Sequence, residues 1–131
     1  MATDKVAYWL DIADEDLGVG EDLYKAKRWL YVAFMCHQCI EKTLKAYWCA
    51  TQESDPPYIH HLANLAIRCG LYELMTEDQQ EFLALLMPMN IEARYPDYKQ
   101  KLVARLNESY CRSLIDDTQL LQQWIKNNLS A

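Results

Sequence analysis

The chain has 131 residues, 51% of them hydrophobic and 24% charged, with a formal net charge of −6. This suits one folded domain, excludes a disordered chain, and argues against coating nucleic acid by charge alone. Only 3 Gly and 4 Pro are present, so a turn-rich β-sandwich and a Gly-rich phosphate loop are both excluded, and the longest run without a polar side chain, residues 82–89, is too short for a membrane span.

The first predicted element is an amphipathic helix capped by Thr3 or Asp4. Val6, Trp9, Leu10, Ala13 and Leu17 fall on one face, and Gly18 and Gly20 are expected to weaken its end. A second helix is predicted over residues 27–50, with Leu30, Ala33, His37, Ile40, Leu44 and Tyr47 inward. Residues 51–59 break it, because Asp55-Pro56-Pro57 cannot continue a helix. A short helix follows at 61–69 and stops at Gly70. Thr76-Glu-Asp-Gln79 reads as a capping box opening the next helix, whose apolar face is Phe82, Leu83, Leu86 and Met89. Arg94-Tyr95-Pro96-Asp97 breaks that helix. Residues 99–106 form either a separate short helix or the start of the last one, which is predicted over 107–128. The expected fold is all-α: an up-and-down four-helix bundle with an additional short helix, in one domain spanning 1–131.

Charge is patterned along the chain. Residues 1–24 hold seven acidic groups against Lys5, while residues 25–48 hold Lys25, Lys27, Arg28, Lys42 and Lys45 against Glu41. Residues 94–105 add Arg94, Lys99, Lys101 and Arg105 against Asp97, so a local basic face on an acidic molecule is expected. Glu41 and Lys45 are spaced as a helical ion pair, which by spacing alone reads as a solvated face. His37 lies on the apolar stripe, where a bonded core histidine competes with a ligand role. His60 and His61 read either as turn and cap residues or as contacts to a phosphate at a helix start. Arg94 reads either as part of a rigid corner or as a phosphate clamp. Cys36 and Cys39 flank His37, but on a helix the three side chains diverge and no second ligand pair exists, so no metal is expected. The odd total of five cysteines, with opening residues that run straight into an acidic amphipathic segment, points to reduced thiols in a cytoplasmic chain.

These pieces, in order, resemble one family. They are Trp9-Leu10-x-x-Ala13-x-x-Asp16-Leu17, His37-Gln38-x-x-Glu41-Lys42-x-x-Lys45-Ala46, Pro56-Pro57 before His61-Leu62-x-x-Leu65, Ala93-Arg94-Tyr95-Pro96-Asp97, and Leu121-x-x-Trp124-Ile125. The set resembles the HEPN domain, the "higher eukaryotes and prokaryotes nucleotide-binding" family. The resemblance implies a short helical bundle that forms homodimers and acts beside a small nucleotidyltransferase in a prokaryotic toxin–antitoxin or defence-type pair. It also implies, for many members, metal-independent ribonuclease activity from an Arg-x4-6-His pairing. That pairing is absent here: none of Arg28, Arg68, Arg94, Arg105 and Arg112 has a histidine at the required distance, and none follows His61.

The expected role is therefore a non-catalytic, cofactor-free binding module for a nucleotide or RNA, or for a nucleotidyltransferase partner. Arg94, Tyr95, Asp97, Lys42, Lys45 and His61 are the candidate contacts. A ribonuclease with a rearranged site and a purely structural partner protein are the alternatives. Four Trp and nine Tyr supply aromatic surface for a core or for a subunit interface.

Overall fold

In the computed structural model, which describes residues 2–90 and 96–129, the chain forms six α-helices. They are α1 (Ala2–Lys25), α2 (Trp29–Thr51), α3 (Leu62–Arg68), α4 (Glu77–Leu86), α5 (Pro96–Arg105) and α6 (Glu108–Leu129). Short 3-10 turns lie at Tyr72–Leu74 and Met87–Met89, and no strand is present among the described residues. The all-α bundle expected from periodicity is present, with α3, α4 and α5 as short helices beside the longer α1, α2 and α6. No helix is long and apolar enough to cross a membrane among the described residues.

The centre is α2, which packs against α1, α3, α4, α5 and α6. Its Ala33, Cys36, Cys39, Ile40, Leu44 and Ala46 are all fully buried. Around them lie Ala13 of α1, Leu62 and Leu65 of α3, Leu83 and Leu86 of α4, and Ile115 and Ile125 of α6. Burial of such side chains stabilises the fold by roughly 1.5–3 kcal/mol each.

Polar contacts fasten the outer helices to each other. Arg112 of α6 donates to both carboxylate oxygens of Glu21 on α1, at 3.1 and 2.9 Å, and stacks over the Tyr24 ring. Lys126 and Gln122 of α6 both donate to Asp14 of α1, each at 2.9 Å. Part of the acidic stripe at the N-terminus is thus taken up by α6.

Several helix ends differ from the sequence expectation. Because α1 starts at Ala2, Asp4 lies in its first turn instead of capping it. The helix also runs through Gly18 and Gly20 to Lys25, so those glycines do not end it. At Gly20 an added Cβ would sit 3.4 Å from the Cβ of Met35, which shows how closely α1 approaches α2 there. The helix ends at Lys25, and the chain turns away at Lys27, whose φ is 61°. Lys27 N–H donates to Tyr24 C=O and Arg28 N–H to Leu23 C=O, the Schellman pattern that favours glycine at the left-handed position. The same pattern closes α3, where Gly70 (φ 82°) donates to Ile67 and Leu71 donates to Ala66.

The capping box at Thr76 and Gln79 forms as the sequence predicts, with both reciprocal hydrogen bonds made. α5 is a separate helix with Pro96 in its first position, where a missing N–H costs nothing. A new helix begins after it, because Asn107 Oδ1 accepts the Tyr110 N–H at 2.8 Å.

All five cysteines are free and buried. Burial pushes the Cys36 thiol up to about 12 and the Cys111 thiol up to about 11, and raises the other three.

Lys27→Gly removes the Cβ clash of a left-handed residue while keeping both capping bonds. It is expected to raise unfolding stability by about 1 kcal/mol in urea denaturation, whereas Gly70→Lys is expected to lower it by a similar amount.

Candidate functional site

The densest polar cluster lies on the second half of α2. His37, Glu41 and Lys45 are four residues apart and share one stripe; Gln38 and Lys42 lie on the next. Glu41 is only 1% exposed, so its charge must be answered inside the protein. Lys45 Nζ donates to its Oε2 at 3.1 Å, and Lys45 itself is buried, with its ammonium 5.5 Å above the Trp9 ring of α1. His60, from the connection after α2, places Nδ1 3.0 and 3.1 Å from the two carboxylate oxygens. His37 Nδ1 lies 3.9 Å from Oε1, too far for a hydrogen bond. On the neighbouring stripe Lys42 donates to Gln38 Oε1 at 2.6 Å and stands 3.5 Å from Asp16 Oδ2 on α1.

Burial alone would push the Glu41 carboxyl up. Lys45, the hydrogen bond from His60, and Lys42 outweigh it and hold Glu41 below the usual carboxylate range. The same burial acts on His37 with weaker compensation. Its imidazole is pushed down to about 4, with Glu41 and a hydrogen bond to the His60 backbone opposing the shift and the His60 charge adding to it. Asp16 is raised, chiefly by burial, with Lys42 pulling it back and Glu41 and Glu15 repelling its charge. Among the described residues His37 Nδ1 is buried without a hydrogen-bond partner, and buried Asp16 Oδ2 is met only by the Lys42 ammonium at 3.5 Å. The cluster therefore holds an ionised glutamate against a neutral histidine. A carboxylate accepting from Nδ1 also fixes the tautomer and orientation of His60. Among the described residues no group of His, Cys, Asp and Glu side chains is arranged to hold a metal ion.

The structure treats the six predicted contacts differently. Lys42 and Lys45 come together one turn apart on α2, but each faces a carboxylate, and the Glu41–Lys45 pair is buried where spacing alone suggested a solvated face. That face is covered by α1 and by the 52–61 connection, which periodicity within α2 does not reveal. His61 is exposed and caps α3, its Nδ1 accepting the Asn64 N–H at 3.0 Å. Arg94 and Tyr95 lie outside the described residues; Asp97 falls in the first turn of α5, and its side chain is not among those described.

Four residues outside the predicted set carry the cluster: Asp16, His37, Glu41 and His60. Glu41 was legible from its spacing to His37 and Lys45; His60, 19 residues away across two prolines, was not. Further along the chain α5 presents Lys99, Lys101 and Arg105, all exposed and with no ion-pair partner among the described residues.

Residues 6–128 match the family model described as HEPN domain. No curated protein matches the chain. Among solved structures, the crystal structure of TT1696 from Thermus thermophilus is similar, with a TM-score of 0.77 and 18% identity over 94% of this chain and 97% of that one. At that identity the likeness is one of fold.

The cluster predicts an acid-labile fold. Folded His37 takes up its proton only near pH 4, whereas the unfolded chain binds it near the ordinary value of 6.5. The unfolded state thus holds more protons between these values. The contribution of His37 is complete above about pH 6.5 and lost as the pH falls towards 4, on the order of 3 kcal/mol in all. The Glu41 contribution, from a lowered carboxyl, is lost only at lower pH. Urea midpoints measured across this window should fall steeply for the native chain and flatten for His37→Gln; an unchanged slope would count against the buried neutral imidazole.

Proposed function

Because the chain belongs to the HEPN domain family, we propose that it is a non-catalytic module that binds the phosphates of a nucleotide or RNA through the segment from Arg94 to Arg105. Membership of the family supports a nucleotide- or RNA-related role. The observation that carries the location is the contrast between two sets of cations. Lys42 and Lys45 are neutralised by Asp16 and Glu41 and hold the seam between α1 and α2. Lys99, Lys101 and Arg105 stand exposed on α5 with no such neutralisation. A phosphate approaching α5 displaces solvent only; at Lys45 it would have to displace a buried carboxylate.

In this reading Arg94 clamps phosphate, Tyr95 offers a ring to a base, and Asp97 and His61 add polar contacts. The non-catalytic part rests on the histidines. His37 is buried and neutral, His60 is committed to Glu41, and His61 to the start of α3. None stands on α5 or α6, where the sequence lacks the Arg-x4-6-His pairing. The reading further has the module working as a homodimer beside a small nucleotidyltransferase, in a prokaryotic toxin–antitoxin or defence-type pair. Exposed Tyr8, Tyr31 and Tyr58 supply aromatic surface for such contacts.

Fluorescence anisotropy with a labelled single-stranded RNA, and thermal shift with ATP, test the reading. Binding should weaken linearly in log–log plots against salt. Replacing Lys99, Lys101 and Arg105 by glutamate should reduce the slope by about 0.7 for each phosphate that is no longer neutralised. The RNA should remain intact throughout. Metal-free cleavage that Arg94→Ala abolishes would replace this reading with the ribonuclease one, and binding indifferent to the α5 charges would remove the proposed location.

A further inference from the structure

On the face formed by α4 and α6 runs an open groove of about 580 Å³. Its apolar lining includes Phe82 and Leu85 of α4 and Leu120 of α6. Leu120 is 71% exposed and Leu85 37%, so two leucines from facing helices meet solvent side by side in the groove. Leu120 also borders a second depression, lined mostly by polar residues that include Asp116, Gln119 and Gln123. The polar lining of the groove includes three carboxylates, Asp78 and Glu81 of α4 and Asp117 of α6, and no cation among the described residues. None of the three has an ion-pair partner among the described residues. Asp78 is favoured by its place in the first turn of α4; the other two gain nothing from a helix N-terminus.

We infer that this groove is a docking site for a cationic amphipathic helix of a partner protein. Such a helix lays two or three apolar side chains along Phe82, Leu85 and Leu120, while its flanking lysines or arginines meet the three carboxylates. Charge selects this occupant over nucleic acid, anionic lipid and a two-fold pairing of the groove with itself. Nucleic acid and anionic lipid would bring negative charge to a negative rim. A second copy related by a two-fold axis through the groove would face three carboxylates with three more. The inference is independent of the phosphate-binding role assigned to α5, because groove and cations lie on different elements.

The test uses a synthetic leucine–lysine peptide of about four helical turns and an isomer of the same composition scrambled to have no apolar face. The amphipathic peptide is expected to bind with one-to-one stoichiometry by calorimetry, and the isomer at least about tenfold more weakly. Leu120→Glu and the double change Asp78→Lys with Asp117→Lys should each weaken binding by about tenfold or more. Charge reversal at exposed Asp4 and Asp11 of α1 should leave it unchanged, and circular dichroism should show native helix content in every variant. Equal binding of the two peptides, or indifference to the groove substitutions, would overturn the proposal. So would self-association of the native chain in sedimentation that Leu120→Glu abolishes, because the groove would then belong to a second copy, and loss of that association on reversing the α5 charges would identify α5 as the element seated in it.

Discussion

A carboxylate inside a helical bundle has to be met by counter-charge or hydrogen bonds, because desolvation of a lone ion costs several kcal/mol. Glu41 imposes that condition on the elements around it. Lys45 answers it from the same helix, and Trp9 of α1 lies beneath the Lys45 ammonium. His60 answers it from the connection beyond α2, so the chain must fold back after its two prolines to deliver that ring. The return is held again where the Trp48 indole N–H donates to Ser54 C=O and Arg68 stacks on the Trp48 ring. Asp16 and Lys42 repeat the arrangement one stripe over, across the seam with α1. Apolar burial supplies most of the stabilisation. The ion pairs add a condition on which residues may lie opposite each other, since sliding α1 by one turn would leave Lys42 without Asp16 and Lys45 without Trp9.

This division of labour separates two uses of positive charge. Lysines on α2 work against carboxylates inside the seam and are nearly hidden. Cations on α5 face solvent. An acidic molecule with a net charge of −6 can therefore still present a cationic helix, and three of the seven acidic residues on α1 are engaged in contacts to α2 and α6. The remaining carboxylates include those that rim the α4–α6 groove, so opposite signs of charge are displayed by different helices. Such a distribution favours partners of distinct chemistry at distinct places.

Much of the fold was legible in the residues. The apolar spacing placed the helices, the Thr76–Gln79 box marked the start of α4, and the proline pair marked the end of α2. Order and identity of short motifs pointed to the HEPN family, which the match over residues 6–128 establishes. What escaped has physical reasons. α2 is covered on nearly every side, so there is no single wet face to read from its stripes, and the Glu41–Lys45 spacing looked like an exposed pair. Gly18 and Gly20 lower helix propensity by about 1 kcal/mol each, but packing against α2 outweighs that in α1. Lys27 in a glycine's place hid the true end of α1. His60 reaches Glu41 through a tertiary contact that no local rule encodes. Of the candidate site, the stripe from His37 to Lys45 was visible as a pattern, whereas its partners on α1 and on the connection were not; Arg94 and Tyr95 lie outside the described residues.

The five buried thiols have a further consequence. A cysteine reacts as its thiolate, and here both enclosure and the raised ionisation thresholds keep that form scarce. Cys36, Cys39 and Cys49 lie on α2, Cys69 at the end of α3 and Cys111 on α6, so an alkylating reagent meets each sulfur only after its surroundings have parted. The chain thus carries built-in chronometers of its own breathing: the pace at which each sulfur is capped reports how often that part of the bundle opens, with no label added and no residue changed.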